Sequence, residues 1–277
     1  MRVFQSPHEL KQELKGLHVK GQTRVGFVPT MGALHNGHIA LIKKAKEEND
    51  IVVVSIFVNP TQFLKGEDLD EYPRKEQADK RVCELAGVDY LFYPTADMMY
   101  GTDEVKVTAP DVRGYILEGA TRPGHFSGVL TVVMKLLNIV NPTNAYFGKK
   151  DAQQLNLIML MAKQMFMDVN IIAVDTQRDS SGLALSSRNE YLTDEQKKEA
   201  LKIPLSLRAA ANLVGAGELS SEKIIDKMLE ILSPLEVSYV AIVDREFRPI
   251  ANVQTGNTII LVEAIVGVTR LLDNIWL

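Results

Sequence analysis

In the first part of the chain, short continuous apolar runs alternate with a segment whose apolar residues have a helical spacing. Residues 24–30 (RVGFVPT) and 51–58 (IVVVSIFV) are short apolar runs, which predict strands. Between them, residues 38–50 place apolar side chains on one side and Lys or Glu on the other, which predicts a helix. A strand that is apolar on both faces is typical of the interior of a parallel sheet. The pattern therefore predicts a strand–helix–strand unit with parallel strands.

The alternation continues to about residue 175. It predicts helices over residues 74–87, 128–140 and 150–167, and strands over residues 88–94, 144–147 and 169–174. Strands that alternate with helices favour an α/β fold with a doubly wound, Rossmann-like parallel sheet. We therefore predict that residues 1–175 form one Rossmann-like domain.

The pattern changes after residue 175. It predicts helices over residues 192–214 and 220–232, and strands over residues 237–244 and 258–266. This mixture predicts a smaller α+β domain over residues 176–277. No segment rich in Pro, Gly or Ser marks the boundary between the two domains.

Composition narrows the class of protein. The chain has 277 residues, of which 46% are hydrophobic, and a net charge of -4, which is typical of a globular protein and does not indicate a nucleic-acid partner. Its single cysteine, Cys83, excludes an intrachain disulfide and fits a reducing compartment. We see neither a membrane span nor the apolar core of a secretory signal, and therefore expect a cytoplasmic protein with no membrane partner.

The turn after the first predicted strand carries the sequence PTMGALHNGH (29–38). In an open parallel sheet such a turn lies at the carboxyl edge, where ligands bind, and a helix start attracts phosphate. Gly32 and Gly37 permit close approach of the backbone to a ligand, and His35 and His38 offer imidazole N–H donors. The alternative is structural: His38 would merely cap the helix and His35 would lie in a solvated loop.

Two further segments carry groups suited to phosphate or ribose. GLALSSRNEYL (182–192) joins small hydroxyl side chains to Arg188, which can bind phosphate as a fork. FGKKDAQQL (147–155) follows a predicted strand and offers Lys150 as a cation and Asp151 as an acceptor. A solvated loop is the alternative for the first segment, and a helix cap is the alternative for Asp151.

Two other segments carry side chains suited to a small polar substrate. VNPTQF (58–63) brings Asn59 and Gln62, neutral groups that can hydrogen-bond to hydroxyls or a carboxylate. TRPGHF (121–126) carries Arg122 and His125 in a Pro-Gly turn, for which a purely structural role is the alternative.

Six short segments of this sequence occur in the same order in one known family. PTMGALHNGH, VSIFVNPTQF, YPR, RPGHF, FGKKDAQQL and LALSSRN lie between residues 29 and 189, and together they resemble the pantothenate synthetases, or pantoate–β-alanine ligases. The length of the chain and its RLLDN segment (270–274) also resemble that family. His-x-Gly-His alone is shared more widely, by class I nucleotidylyl transferases and class I aminoacyl-tRNA synthetases.

The resemblance implies an ATP-dependent ligation in two steps. The carboxylate of pantoate attacks the α-phosphate of ATP, which gives pantoyl adenylate and pyrophosphate. The amine of β-alanine then attacks the adenylate, which releases pantothenate and AMP. The resemblance also implies a homodimer and a Mg²⁺ ion on the phosphates, for which Asp79 is the candidate carboxylate. We expect the second domain to act as a lid over ATP, and residues 64–72 to form a flexible flap over pantoate.

The resemblance also implies site residues, position by position. The candidate catalytic residues are His35, His38, Lys150 and Arg188, with His38 the candidate donor in the transition state. The candidate ATP-binding residues are Met31, Gly32, Ala33, Leu34, His35, Asn36, Gly37, His38, Gly148, Lys149, Lys150, Asp151, Leu185, Ser186, Ser187 and Arg188. The candidate residues for pantoate and β-alanine are Met31, Asn59, Gln62, Arg122 and Gln154. Lys149 departs from what we expect in relatives, and its side chain is expected to point to solvent.

Two other functions stay open at this level. A nucleotidylyltransferase would share the histidines and the Ser-Ser-Arg segment, but it would not need Gln62 and Gln154. A non-catalytic nucleotide-binding regulator would have no need to retain both histidines together with Lys150 and Arg188. Pyrophosphate release that depends on pantoate would distinguish the ligase from both.

Overall fold

The computed structural model describes residues 1–18 and 23–277. Contacts between these residues divide them into two compact units. The first unit comprises Met1–Gly148 and Leu157–Val174, and the second comprises Lys149–Asn156 and Asp175–Leu277. The second unit thus includes the chain segment that directly follows Gly148, in addition to the region after Val174.

Within the described residues, the first unit is built on a six-stranded parallel sheet. Its strands are β1 (Arg2–Phe4), β2 (Val25–Thr30), β3 (Ile51–Ile56), β4 (Tyr90–Phe92), β5 (Asn144–Gly148) and β6 (Asn170–Val174), in the order β1-β4-β3-β2-β5-β6. The helices that alternate with them are α1 (Pro7–His18), α2 (Asn36–Glu48), α3 (Glu76–Leu85), α4 (Ala96–Met99), α5 (Glu118–Thr121), α6 (His125–Val140) and α7 (Ala152–Gln164), the first turn of α7 belonging to the second unit.

The interior strand β3 shows why the sequence forms a parallel sheet. Val52, Val53 and Val54 are all fully buried, although successive side chains of a strand point to opposite faces. Both faces are therefore covered, and the β-branched run suits a strand that is buried on both sides. The predicted strand–helix–strand unit is confirmed, with β2 and β3 parallel from Val25↔Ile51 to Thr30↔Ile56.

The strand order predicts where a ligand would bind at this sheet. From β2, the chain builds outwards through β3 and β4, whereas β5 and β6 lie on the other side of β2. Ligands of doubly wound sheets bind outside the carboxyl ends of the strands where the order reverses. Here that place lies beyond Thr30, which ends β2, and Gly148, which ends β5.

The second unit combines helices with an antiparallel sheet. The described chain there forms α8 (Asp194–Ala200), α9 (Lys202–Gly215), α10 (Ser221–Leu232), β7 (Glu236–Asp244), β8 (Thr258–Val266) and β9 (Thr269–Trp276), with sheet order β7-β8-β9. Its core packs Leu207, Ile224 and Met228 of the helices with Ile260 and Val262 of β8. The predicted fold class, a Rossmann-like sheet followed by a smaller α+β region, is confirmed.

Several elements differ from the sequence prediction. β1, α1 and β9 were not predicted: β1 is only three residues long, and α1 buries few apolar side chains, chiefly Leu10 and Leu14. The single helix predicted over residues 192–214 is two helices, α8 and α9, separated at Leu201. Pro204 explains the break, because it has no N–H to donate to the carbonyl of Ala200 and cannot continue a helix through that turn.

None of the helices in the described part of the chain is both long enough and apolar enough to cross a bilayer.

Candidate active site

Two histidines build the start of α2. His35 precedes the helix, and its ring Nδ1 accepts a hydrogen bond from the backbone N–H of Gly37 at 3.1 Å. His38 Nδ1 accepts from the backbone N–H of His35 at 3.2 Å, which completes a reciprocal capping box. The two rings lie against each other, with centroids 4.1 Å apart. Both rings are thus positioned by the backbone of the helix start itself.

The capping hydrogen bonds also determine where the ring protons lie. A neutral imidazole has one donor nitrogen and one acceptor nitrogen. Because Nδ1 accepts in both His35 and His38, the proton of each neutral ring is on Nε2. The helix start therefore carries two Nε2–H donors as well as its own partial positive charge, an arrangement suited to a polyphosphate.

The turn between β2 and α2 is held by a residue far away in the sequence. Gly32 and Ala33 both have positive φ angles, 87° and 49°, and a non-glycine residue in that region carries strain of about 1–3 kcal/mol. Asp79 of α3 is buried, and its two carboxylate oxygens accept from the N–H groups of Ala33 at 2.9 Å and Leu34 at 2.8 Å. Asp79 thus stabilises the strained turn that delivers His35 to the helix start.

A second group of polar side chains surrounds Gln62, at the end of the short 3-10 turn Pro60–Gln62. Asn59 Nδ2 donates to Gln62 Oε1 at 3.0 Å, and Gln62 Nε2 donates to Met31 Sδ at 3.2 Å. Helix α6 lies directly against this turn: a Cβ on Gly128 would come within 2.2 Å of the carbonyl oxygen of Thr61. The structure thus brings together Met31, Asn59 and Gln62, three of the predicted substrate residues.

A cavity opens at the carboxyl ends of β2, β3 and β4. Its volume is about 300 Å³, and its lining includes Met31, Gly32, Val58, Asp79 and Tyr93. Met31 therefore both lines this cavity and contacts Gln62. The carboxyl ends of the strands are where doubly wound proteins bind ligands.

In the second unit, β9 positions the turn Lys149–Asp151. Asn274 Nδ2 donates to the carbonyl oxygens of Lys149 at 3.0 Å and Lys150 at 2.8 Å. Lys150 Nζ lies 3.1 Å from Asp151 Oδ1, while Lys149 Nζ lies 2.6 Å from Asp175 Oδ1 and over the ring of Trp276. The Lys149 ammonium is therefore held at the protein surface by a carboxylate and an aromatic ring.

The predicted Ser-Ser-Arg segment forms a short turn in the second unit. Ser186 precedes the 3-10 turn Ser187–Tyr191, and its Oγ accepts from the N–H of Arg188 at 3.3 Å. Ser187 is buried, whereas Leu185 and Arg188 are partly exposed. This turn thus combines two hydroxyl side chains with a guanidinium, groups of the kind that bind phosphate oxygens.

The sequence as a whole matches one family. A sequence model of the pantoate–β-alanine ligases matches residues 2–276. The chain belongs to the pantoate–β-alanine ligase family. The pantothenate synthetase of Sulfurimonas denitrificans is 64% identical over 277 residues, which cover 100% of both chains, and that of Aliarcobacter butzleri is 58% identical over 96% of this chain and 97% of its own. The enzyme is thus a ligase that makes pantothenate from pantoate and β-alanine.

Solved structures of relatives match this ligase over its whole length. The pantothenate synthetase of Thermus thermophilus has a TM-score of 0.93 and 40% identity, with 99% of each chain covered. The pantoate–β-alanine ligase of Francisella tularensis, solved in complex with beta-gamma ATP and β-alanine, has a TM-score of 0.83 and 39% identity over 100% of this chain and 97% of that chain. Both support the two-part fold described above.

The ligase places its predicted site residues in separate groups. The first unit holds Met31 to His38, Asn59, Gln62, Arg122 and Gly148, and the second unit holds Lys149 to Asp151, Gln154 and Leu185 to Arg188. In the first unit, the contacts above join Met31, Asn59 and Gln62 directly. Arg122 also approaches Gln62, but through the backbone carbonyl of Gln62 at 3.4 Å.

Sequence reasoning missed several residues that position these groups. Glu118 forms a buried ion pair with Arg122, Glu67 forms a partly buried one, and Asn274 holds the Lys149–Asp151 turn. Asn274 belongs to the RLLDN segment, to which the family resemblance gives no role. No periodicity marks such residues, because their roles depend on contacts that only the folded chain brings together.

The geometry gives Asp79 a task other than metal binding. Both of its carboxylate oxygens accept backbone N–H groups of the strained turn, and the described part of the ligase contains no group of three or more His, Cys, Asp or Glu arranged to hold a metal. Mg²⁺ usually keeps several waters and substrate phosphates as ligands, so its binding does not require a protein cage. The assignment of Asp79 to Mg²⁺ stays a prediction.

Proposed function

We propose that the enzyme joins pantoate to β-alanine through a pantoyl adenylate, with ATP as co-substrate and AMP and pyrophosphate as products. The observation that carries this proposal is the pair of Nε2–H donors at the start of α2, fixed by the capping of His35 and His38. Preorganised donors at a helix start stabilise charge that develops on phosphate oxygens. A carboxylate oxygen is a poor leaving group, and adenylation replaces it with AMP.

In the first step, one carboxylate oxygen of pantoate forms a bond to the α-phosphorus of ATP, and the bond from that phosphorus to pyrophosphate breaks. Negative charge then increases on the departing pyrophosphate. We assign His38 Nε2–H to that charge, with His35 beside it on the phosphates. Gln62, held by Asn59 and in contact with Met31, is assigned to pantoate, because its neutral amide can both donate to a carboxylate and accept from a hydroxyl.

In the second step, the amine of β-alanine attacks the carbonyl carbon of the adenylate. The bond from that carbon to the bridging oxygen breaks, the nitrogen gives up a proton to solvent as the amide forms, and AMP leaves with the bridging oxygen. No enzyme nucleophile is needed, so catalysis rests on positioning and on charge stabilisation. The Francisella tularensis relative, solved with an ATP-type nucleotide and β-alanine, supports this choice of substrates.

The resemblance assigns further nucleotide contacts. Gly148 and Asp151 are proposed for adenine and ribose, while Lys150, Ser186, Ser187 and Arg188 are proposed for phosphates. Gln154 is proposed for pantoate. A Mg²⁺ ion on the phosphates, a homodimer, a cytoplasmic location and a lid function of residues 176–277 belong to the same proposal. The metal ion, the homodimer and the lid rest on the resemblance, and the location rests on the single cysteine. Neither chemical step above depends on these four assignments.

Isotope transfer tests the adenylate directly. With pantoate labelled by ¹⁸O in its carboxylate, the bridging oxygen should leave with AMP, so mass spectrometry should find one ¹⁸O in the phosphate of AMP. Label in inorganic phosphate together with ADP would instead indicate an acyl phosphate, and unlabelled AMP would refute the adenylate. Pyrophosphate formation that requires pantoate, and no phosphorylated second substrate, would exclude the nucleotidylyltransferase alternative.

A further inference from the structure

The guanidinium of Arg122 is buried and uses all of its N–H groups on protein acceptors. An arginine has five N–H donors. In Arg122, Nε and Nη2 bind the two carboxylate oxygens of Glu67 at 2.7 Å each, and Nη1 binds Glu118 at 2.9 Å and His125 Nε2 at 2.9 Å. The remaining Nη2 contact goes to the carbonyl oxygen of Gln62 at 3.4 Å. These described contacts account for every donor, so none is directed at a substrate.

His125 acts on the same carbonyl group. Its Nε2 accepts from Arg122, so the proton of the neutral ring lies on Nδ1, which donates to the Gln62 carbonyl oxygen at 2.7 Å. Burial lowers the pKa of His125, with the charge of Glu118 opposing it, and the neutral ring agrees with this donor pattern. The backbone of Gln62 is therefore held by two donors from the start of α6 and the turn before it.

Glu67 extends this network into the segment that follows Gln62. Its carboxylate makes a two-point ion pair with Arg122, and Oε2 also accepts from the N–H of Leu64 at 3.0 Å. Residues 62 to 67 are thus fastened at both ends to one arginine. A paired, planar guanidinium fixes geometry as well as charge, which a lysine cannot reproduce.

We propose that Arg122 and His125 are positioning residues, which set the affinity for pantoate by fixing the backbone of Gln62 and the segment up to Glu67. This inference rests on the proposed function, because it takes Gln62 as a pantoate-binding side chain. In this proposal, Arg122 affects pantoate binding through Gln62 and does not contact the substrate itself.

The test combines Arg122→Lys with Gln62→Ala and measures KM for pantoate and for ATP, together with kcat. Arg122→Lys alone should raise the KM for pantoate about tenfold and change kcat and the KM for ATP less than about twofold. In the Gln62→Ala background the same substitution should add less than about twofold, because no side chain is left to position. If the two effects on pantoate KM multiply instead, Arg122 acts independently of Gln62, and the inference is wrong.

Three further measurements keep the outcome decisive. If Arg122→Lys does not fold, Glu67→Gln removes one charge of the same ion pair and should shift the KM for pantoate in the same direction by a smaller factor. Lys46→Gln is the control for loss of an ion pair, because Lys46 pairs with Asp89 and with no residue of this network, and it should leave both KM values unchanged. Gln62→Ala alone tests the underlying assignment: an unchanged KM for pantoate there refutes the role of Gln62, and the inference with it.

Discussion

Among the described helices, α2 and α8 begin with the same reciprocal cap, yet different residues build it. Before α8, Thr193 Oγ1 accepts from the N–H of Gln196 at 3.2 Å, and Gln196 Oε1 accepts from the N–H of Thr193 at 3.0 Å. Before α2, the corresponding acceptors are Nδ1 atoms of His35 and His38. Thr and Gln are the residue types that capping boxes normally use, and His is not.

The difference shows what a histidine adds to a helix start. Thr193 and Gln196 also satisfy the backbone, and although their hydroxyl and amide NH2 remain donors, neither residue is among the candidate site residues. An imidazole that caps through Nδ1 still has Nε2, and the cap itself makes Nε2 the donor. The start of α2 lies at the point where the strand order reverses, and there it combines capping with two Nε2–H donors held by rigid rings.

The largest expected effect follows from removing one of these donors. His38→Ala should lower the rate of adenylate formation by about 10²–10³-fold, as for the loss of one donor to a transition-state charge. The loss of the cap should lower the free energy of unfolding by only about 1 kcal/mol. Rapid-quench measurement of pantoyl adenylate in a single turnover, beside equilibrium denaturation, separates the two quantities.

His38→Asn is the matched control for that substitution. Asn Oδ1 is as many bonds from the backbone as His Nδ1, so the variant can keep the cap on His35 while lacking Nε2. We expect it to recover the stability and not the rate. A rate close to that of the unmodified enzyme would mean that the capping geometry matters and that Nε2 does not, which would contradict the role given to α2 above.

A smaller effect is expected from Asp79, which holds the turn that leads into the α2 cap. Asp79→Asn leaves one acceptor for two N–H groups, so it should lower the free energy of unfolding by about 1–3 kcal/mol and weaken ATP binding about tenfold. If Asp79 works through the turn, the loss of ATP affinity should be the same with Mg²⁺ and with excess chelator. A loss seen only with Mg²⁺ would support the metal assignment instead.

The contrast between local and distant contacts explains how much the sequence could predict. His35, Gly37 and His38 lie within four positions, so a pattern read along the chain finds them, and the strand and helix spacings predict where they fall in the sheet. The same spacings predicted most elements of the Rossmann-like sheet. They did not predict the break at Leu201, because the periodicity of apolar positions alone takes no account of Pro204, which interrupts the helix.

The supports of the site come from far along the chain and were not predicted. Asp79 lies 45 positions from Leu34, and Arg122 lies 60 positions from Gln62. In the sequence, charged residues such as these fit a solvated surface equally well. Only the fold shows that Glu67 and Glu118 lie beside Arg122. Sequence patterns therefore find functional groups that lie within a few positions of each other. They miss contacts between residues that are far apart in the sequence.

The smallest expected effect completes the comparison of the two caps. Thr193→Ala removes the acceptor for the N–H of Gln196, so the free energy of unfolding should fall by about 1 kcal/mol, measured by denaturant titration. Because Thr193 is not among the candidate site residues, kcat and both KM values should stay within about twofold of the unmodified enzyme. A loss of adenylation comparable to that of His38→Ala would show that capping alone limits the reaction, and the special role given to the imidazoles of α2 would then have no basis.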